Sequence, residues 1–145
     1  MGAWGLGSFD NDDAMDWMVD FSEKQNIAFL EETFDLVLSN GDSEYIAAFY
    51  GSNAIAAAEI VAAAIGNISN SFPEHYLNKS DEIEVEKIDL PKLKAAITQD
   101  IITKAKSALV LVKSNKNSEL RQLWEEVDDY SDWLNDMGEL EKRLN

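Results

Sequence analysis

The sequence predicts a small all-α protein, about five helices in a single domain over residues 1–145. Three observations carry this. The stretch Tyr45–Gly66, YIAAFYGSNAIAAAEIVAAAIG, holds 17 apolar residues in 22 and a single charge, Glu59. A helix that is apolar nearly all round is either buried on every side or spans a membrane. Apolar residues also recur at three-to-four spacing in the segments on either side, which is the helical period. The one alternation of period two, Ile83-Glu84-Val85-Glu86, is too short to imply a sheet.

Met1–Ser8 is punctuated by Gly2, Gly5 and Gly7. It is expected as a packed coil whose glycines let the backbone lie close to a helix, with Trp4 and Phe9 buried. The first helix begins within Phe9–Phe21. Asn11 or Asp12 caps it, because a short polar side chain accepts from the free amides of a first turn. Asp12, Asp13 and Asp16 then lie near the positive end of the helix dipole, and Phe9 precedes the cap as a hydrophobic staple would. Ala14, Trp17, Met18 and Phe21 form the inward stripe. Ser22–Ser39 is a second helix, apolar at Ile27, Leu30, Phe34, Val37 and Leu38, and Asn40-Gly41 ends it.

Asp42 or Ser43 caps the central helix. Its alanines, with Gly51 and Ser52, let neighbouring axes approach to about 8 Å. Asn67–Leu90 is irregular, marked by Asn, Ser and Pro73. Pro91–Lys113 is a long helix with Pro91 in its first turn and Leu93, Ile97, Ile101, Ala105, Ala108, Leu109 and Val112 on one face. After a turn at Ser114–Asn117, Ser118 caps the last helical region. There Leu120, Leu123, Val127, Tyr130, Leu134 and Met137 repeat as a packed seam, flanked by Trp124 and Trp133. Asp128–Asp132 leaves open whether this region is one helix or two.

Composition narrows the function. The formal net charge is −16. Such a chain repels nucleic acid, whose binding needs Lys and Arg, and anionic membrane surfaces; it attracts basic proteins and speeds their encounter. The chain contains no cysteine, which excludes disulfides, thiolate metal sites and cysteine nucleophiles. No secretory signal opens it, and Leu6 stands where a myristoylation motif wants Ser or Thr. Asn53, Glu59 and the absence of flanking basic clusters weigh against membrane insertion of the central stretch. A cytoplasmic protein is expected. Residues 91–117 alone are basic, with six lysines and one aspartate, and are expected to offset neighbouring acidic helices.

No catalytic constellation emerges. The acidic run Asp10, Asp12, Asp13, Asp16, Asp20 lacks the glycine and terminal Glu of an EF-hand, so capping and solvated charge explain it and no metal is assigned. His75, the only histidine, cannot supply a zinc site and is expected on the surface. Glu59 is the residue that needs explanation, since a buried carboxylate must be paired, hydrogen-bonded or protonated. Backbone amides of the N-terminal coil, or a Trp indole, are its expected donors. Arg121 is placed to pair with Glu59 or with an N-terminal Asp, giving a buried polar cluster of Glu59, Arg121 and Asp10.

Met1-Gly2-Ala3-Trp4-Gly5-Leu6-Gly7-Ser8-Phe9-Asp10-Asn11-Asp12-Asp13-Ala14-Met15-Asp16-Trp17 resembles the opening of the bacterial domain of unknown function 4259 family. Ser118-Glu119-Leu120-Arg121-Gln122-Leu123-Trp124-Glu125, then Trp133-Leu134 and Leu140-Glu141-Lys142-Arg143-Leu144, resemble its C-terminal part, and Ala56–Ala63 its central helix. The resemblance implies a bacterial or phage-borne protein. It transfers no activity and no catalytic residue.

The expected function is that of a binding protein rather than an enzyme: an inhibitor of the immunity or antitoxin type, whose acidic surface neutralises a basic toxin-like protein. Its candidate contact residues are Asp12, Asp13, Asp16 and Asp20 on the first helix and Glu125, Glu126, Asp128, Asp129 and Asp132 towards the C-terminus. No cofactor is implied. The alternatives are a small-ligand or divalent-metal enzyme centred on Glu59 and the acidic N-terminal turn, or a helical adaptor; the oligomeric state is left open.

Overall fold

A computed structural model describes residue 3 and residues 5–39, 45–77 and 86–145. Among these it contains α1 (Asp12–Lys24), α2 (Ile27–Leu38), α3 (Ala48–Ala64), a 3-10 turn (Glu74–Tyr76), α4 (Leu90–Ala96), α5 (Gln99–Ser114), α6 (Glu119–Glu125) and α7 (Tyr130–Arg143). The fold is all-α, with seven helices among the described residues instead of about five. The only strand-like pairs described are two isolated bridges, Ala3 with Asn11 and Ile46 with Ser118. Gly2, Trp4, the stop at Asn40-Gly41, the caps Asp42 and Ser43, and Ile83 to Val85 lie outside the described residues.

The all-round apolar pattern of α3 has its counterpart in packing. α3 touches α1, α2, α4, α5, α6 and α7, and 13 of its 17 residues are buried. It is shorter at both ends than the 45–66 stretch. No side chain of its own caps it; the amide of Ala48 instead donates to Glu119 Oε1 of α6 at 2.7 Å. Beside this contact Ile46 makes two backbone bonds to the start of α6, its N donating to Asn117 O at 3.0 Å and its O accepting from Glu119 N at 2.9 Å. The start of α3 is thus bolted to the start of α6. No helix among the described residues is long and apolar enough to cross a membrane.

Helix boundaries depart from the sequence expectation at two places for identifiable reasons. α1 runs through Ser22 to Lys24 because Gln25, not a glycine, takes the left-handed conformation that stops it (φ 42°). Its amide group donates to Ser22 O and Lys87 O, each at 2.8 Å, and its Oε1 accepts from Asp89 N at 2.8 Å. These bonds offset the roughly 1 kcal/mol cost of a left-handed L-residue. Asn26 then caps α2 by accepting from Phe29 N at 2.8 Å. The single helix expected over 91–113 is broken at Ile97-Thr98, where Ile97 is extended and Thr98 Oγ1 accepts from Ile101 N at 3.4 Å to restart it as α5. The C-terminal region, left open from sequence, is two helices.

Two glycines make opposite use of their missing side chain. A Cβ on Gly51 would lie 3.3 Å from both Leu120 Cδ2 and Val112 Cγ1, so this glycine sets how closely α3 approaches α5 and α6. A Cβ on Gly138 would meet nothing within 4 Å. Gly138→Ala should therefore raise stability by about 0.5–1 kcal/mol through helix propensity, whereas Gly51→Ala should lower it, since overpacking a filled core typically costs about 1–3 kcal/mol. Urea midpoints check this; shifts of the same sign would remove the packing role given to Gly51.

Candidate functional site

The N-terminal coil is built around Asp10. Its Oδ2 accepts from Gly7 N at 3.2 Å, and its own amide returns to Gly7 O at 3.0 Å. A Cβ on Gly5 would stand 2.6 Å from that oxygen, and one on Gly7 2.7 Å. Both positions therefore need glycine because a carboxylate is folded into the turn between them. Asn11 accepts from Ala14 N at 2.8 Å and is the cap of α1, with Asp12 and Asp13 in the first turn. Phe9 is buried and meets Phe72 edge-on at 5.3 Å.

This coil closes over the ends of α3, α6 and α7 and leaves a cavity of about 30 Å³ between them, lined among others by Gly5, Asp13, Ser52, Trp124, Trp133 and Asp136. The volume matches one water-sized group and is far below the several hundred Å³ of a metabolite pocket. Trp124 and Trp133 stack at 6.0 Å. Burial pushes the Asp136 carboxyl above the usual carboxylate range; the charges of Glu59, Asp10 and Glu139 push the same way, and Arg143 opposes them.

Glu59 is 2% exposed, and its partner is Arg143, not Arg121. Arg143 Nη1 donates to Oε1 at 2.5 Å and Nη2 to Oε2 at 3.2 Å, a fork on both carboxylate oxygens. The pair is tied into the chain by Asn67, whose Nδ2 donates to Arg143 O at 2.9 Å. Among the described residues neither the N-terminal coil nor an indole supplies the donors; the buried Trp17 indole instead donates to Thr33 Oγ1 at 3.0 Å. Arg121 reaches Glu125 Oε1 at 2.5 Å and Ser114 O. The expected cluster of Glu59, Arg121 and Asp10 is therefore replaced by the pair Glu59–Arg143; Asp10 bonds within its own turn, and Asp136 feels the charge of all three. Arg143 was missed although it falls seven residues after Asp136 and three after Leu140, on the inward side of α7.

Asp12, Asp13, Asp16 and Asp20 are all exposed, and among the described residues no Lys or Arg is within ion-pair distance of them. Glu125 is engaged by Arg121, whereas Glu126, Asp128, Asp129 and Asp132 stand exposed at the α6–α7 corner. Asp13 and the two tryptophans line one cavity, so the start of α1 and this corner meet there; Asp20 lies about 10 Å further along α1. Two lysines of the basic segment pair with acidic neighbours, Lys104 with Asp35 at 3.0 Å and Lys113 with Glu141 at 2.6 Å. His75 is half-buried with its ring on Tyr76 at 4.4 Å, not simply on the surface. Among the described residues no group of three or more His, Asp or Glu is placed to hold a metal ion.

The model of a protein family described as a domain of unknown function, DUF4259, matches residues 2–136. Neither curated proteins nor solved structures yield a match. The match spans most of the chain, which belongs to that family.

The burial asymmetry of the ion pair sets a measurable difference. Glu59's side chain is 3% exposed and Arg143's is 25%. Arg143→Met leaves a buried carboxylate uncompensated and should cost on the order of 3 kcal/mol. Glu59→Gln should cost less, because the freed guanidinium can reach water, and Arg121→Ala under about 1 kcal/mol because its pair is exposed. Equal denaturant midpoints for the first two would overturn this ordering.

Asp136 sets a pH dependence. Its folded pKa is raised, so between the unfolded and folded values the native state holds the proton more tightly, and its contribution to stability falls as pH rises through that window. Asp136→Asn should raise the melting temperature at neutral pH, and the gain should vanish as pH drops below the ordinary carboxylate range. Melting curves of the two proteins that stay parallel from acid to neutral pH would contradict it.

Proposed function

We propose that this member of the DUF4259 family is a binding protein of the immunity or antitoxin kind, whose acidic surface covers a basic, toxin-like protein. The observation that carries the reading is the distribution of charge. Lys104 and Lys113 of α5 are engaged by α2 and α7, while the acids along α1 and at the α6–α7 corner stand exposed. Val19 and Val127, 41% and 40% exposed, sit amid these acids and supply the apolar contact that a charged rim surrounds in a protein interface. Complementary charge raises association rates and selects against wrong partners. The enzyme alternative draws no support from Glu59, both of whose oxygens are held by Arg143.

The test uses the immobilised chain and a lysate of its source organism at low salt, eluted by raising the salt. A basic protein should be retained, and its own activity blocked by the chain. Asp16→Lys with Asp20→Lys, combined with Glu126→Lys and Asp128→Lys, leaves the Asn11 cap and the first-turn acids of α1 in place. It should reduce affinity for that protein at least about tenfold. Binding that is indifferent to the four reversals would end this reading.

A further inference from the structure

We infer that the cavity between the N-terminal coil and the α6–α7 corner is a subsite for one primary ammonium group, a lysine side chain of the basic partner, held by Asp136 and Ser52. The inference rests on the acidic-surface reading and assigns that surface its specific contact.

Four observations converge. Ser52 is 4% exposed, lines the cavity, and its hydroxyl makes no hydrogen bond among the described residues. A largely buried hydroxyl that faces a cavity is completed by a polar group placed there. Asp136 lines the same cavity and likewise accepts no hydrogen bond among the described residues. It stands in the field of three further carboxylates, Glu59, Asp10 and Glu139, against one guanidinium, Arg143. Four carboxylates to one cation leave an excess of negative charge at a partly enclosed place, where a cation is worth more than on open surface. The two stacked tryptophans add aromatic surface, which attracts cations. Asp13 stands at the rim.

Size selects the cation. About 30 Å³ takes a group as compact as water. An ammonium is such a group, a point charge with three donors on a slender stem, and here the Asp136 carboxylate and the Ser52 hydroxyl would accept. A guanidinium is planar and wider, with five donors in a rigid fork, and is the poorer match to a space of this size. The subsite therefore prefers lysine to arginine, opposite to the usual preference for arginine where carboxylates are read.

The test titrates the full chain with hexalysine and with hexa-arginine, against matched sodium chloride, and follows binding by calorimetry and the Trp124 and Trp133 indole N–H signals by NMR. Hexalysine should shift both indole signals beyond the salt control, and hexa-arginine should not. Asp136→Asn and Ser52→Ala should each weaken hexalysine binding, the former by about tenfold or more. Asp132→Asn, which removes the same formal charge from the exposed corner, should change it less than twofold. Equal losses from Asp136→Asn and Asp132→Asn, or salt-sensitive binding that leaves the indole signals unmoved, would overturn the subsite while leaving the acidic-surface reading intact. No binding of hexalysine at all would overturn both.

Discussion

A helix buried on every side has no natural place for a charge, and α3 carries one. Glu59 is compatible with the core only because Arg143 covers both its oxygens; alone, such a carboxylate costs several kcal/mol. That one interaction places the end of α7. Once Arg143 is seated, Asn67 binds its carbonyl, and the inward side of α7 brings Leu140, Met137 and Trp133 against the core. The geometry of the C-terminal third follows from a contact between residues 84 positions apart. A buried ion pair is weak evidence for net stability, but it discriminates strongly between registers, since any slip of α7 strands a charge.

The same economy governs the N-terminal coil. Asp10 folds back into its own turn and demands glycine at two positions, which lets the coil lie flat over α3, α6 and α7. Glu119 satisfies the bare amide at the start of α3 from another helix. These carboxylates are structural, each with a named donor. The lysines of α5 then neutralise the flanks of α2 and α7. Acid remains unpaired mainly where no helix packs against it, along the outer side of α1 and at the α6–α7 corner. The charge asymmetry is therefore a consequence of which surfaces are used for packing.

Much of this was legible in the sequence, and what was not has a physical reason. The apolar run of α3, the inward stripes of α1, α2 and α5, and the cap at Asn11 are local patterns, and the residues that form them are neighbours in the chain. Gln25 could not be read as a helix stop, because the bonds that stabilise its left-handed backbone come from Lys87 and Asp89, more than 60 residues away. The break at Thr98 competes with an apolar stripe that continues smoothly through Ile97 and Ile101, and spacing favours the unbroken helix. The partner of Glu59 was narrowed to an arginine of the C-terminal region, yet Arg121 and Arg143 differ only in which way their helices turn. The cavity had no signature at all: it exists where a glycine coil, a serine on an alanine helix and two tryptophans from different helices happen to meet.

Asp136 is the carboxylate that this economy does not explain. Asp10 and Glu59 have donors, the acids on α1 have water, and Asp89 caps a helix. Asp136 has partial burial, like charges around it and no hydrogen bond among the described residues, and burial pushes its carboxyl above the usual carboxylate range. A fold optimised only for stability would place a neutral amide there at no loss of shape. The Ser52 hydroxyl opposite poses the same problem in smaller measure, and one compact cation resolves both at once. Relief of both groups by the same ligand is what the proposed subsite requires, and it would set this corner apart from surfaces used only for packing.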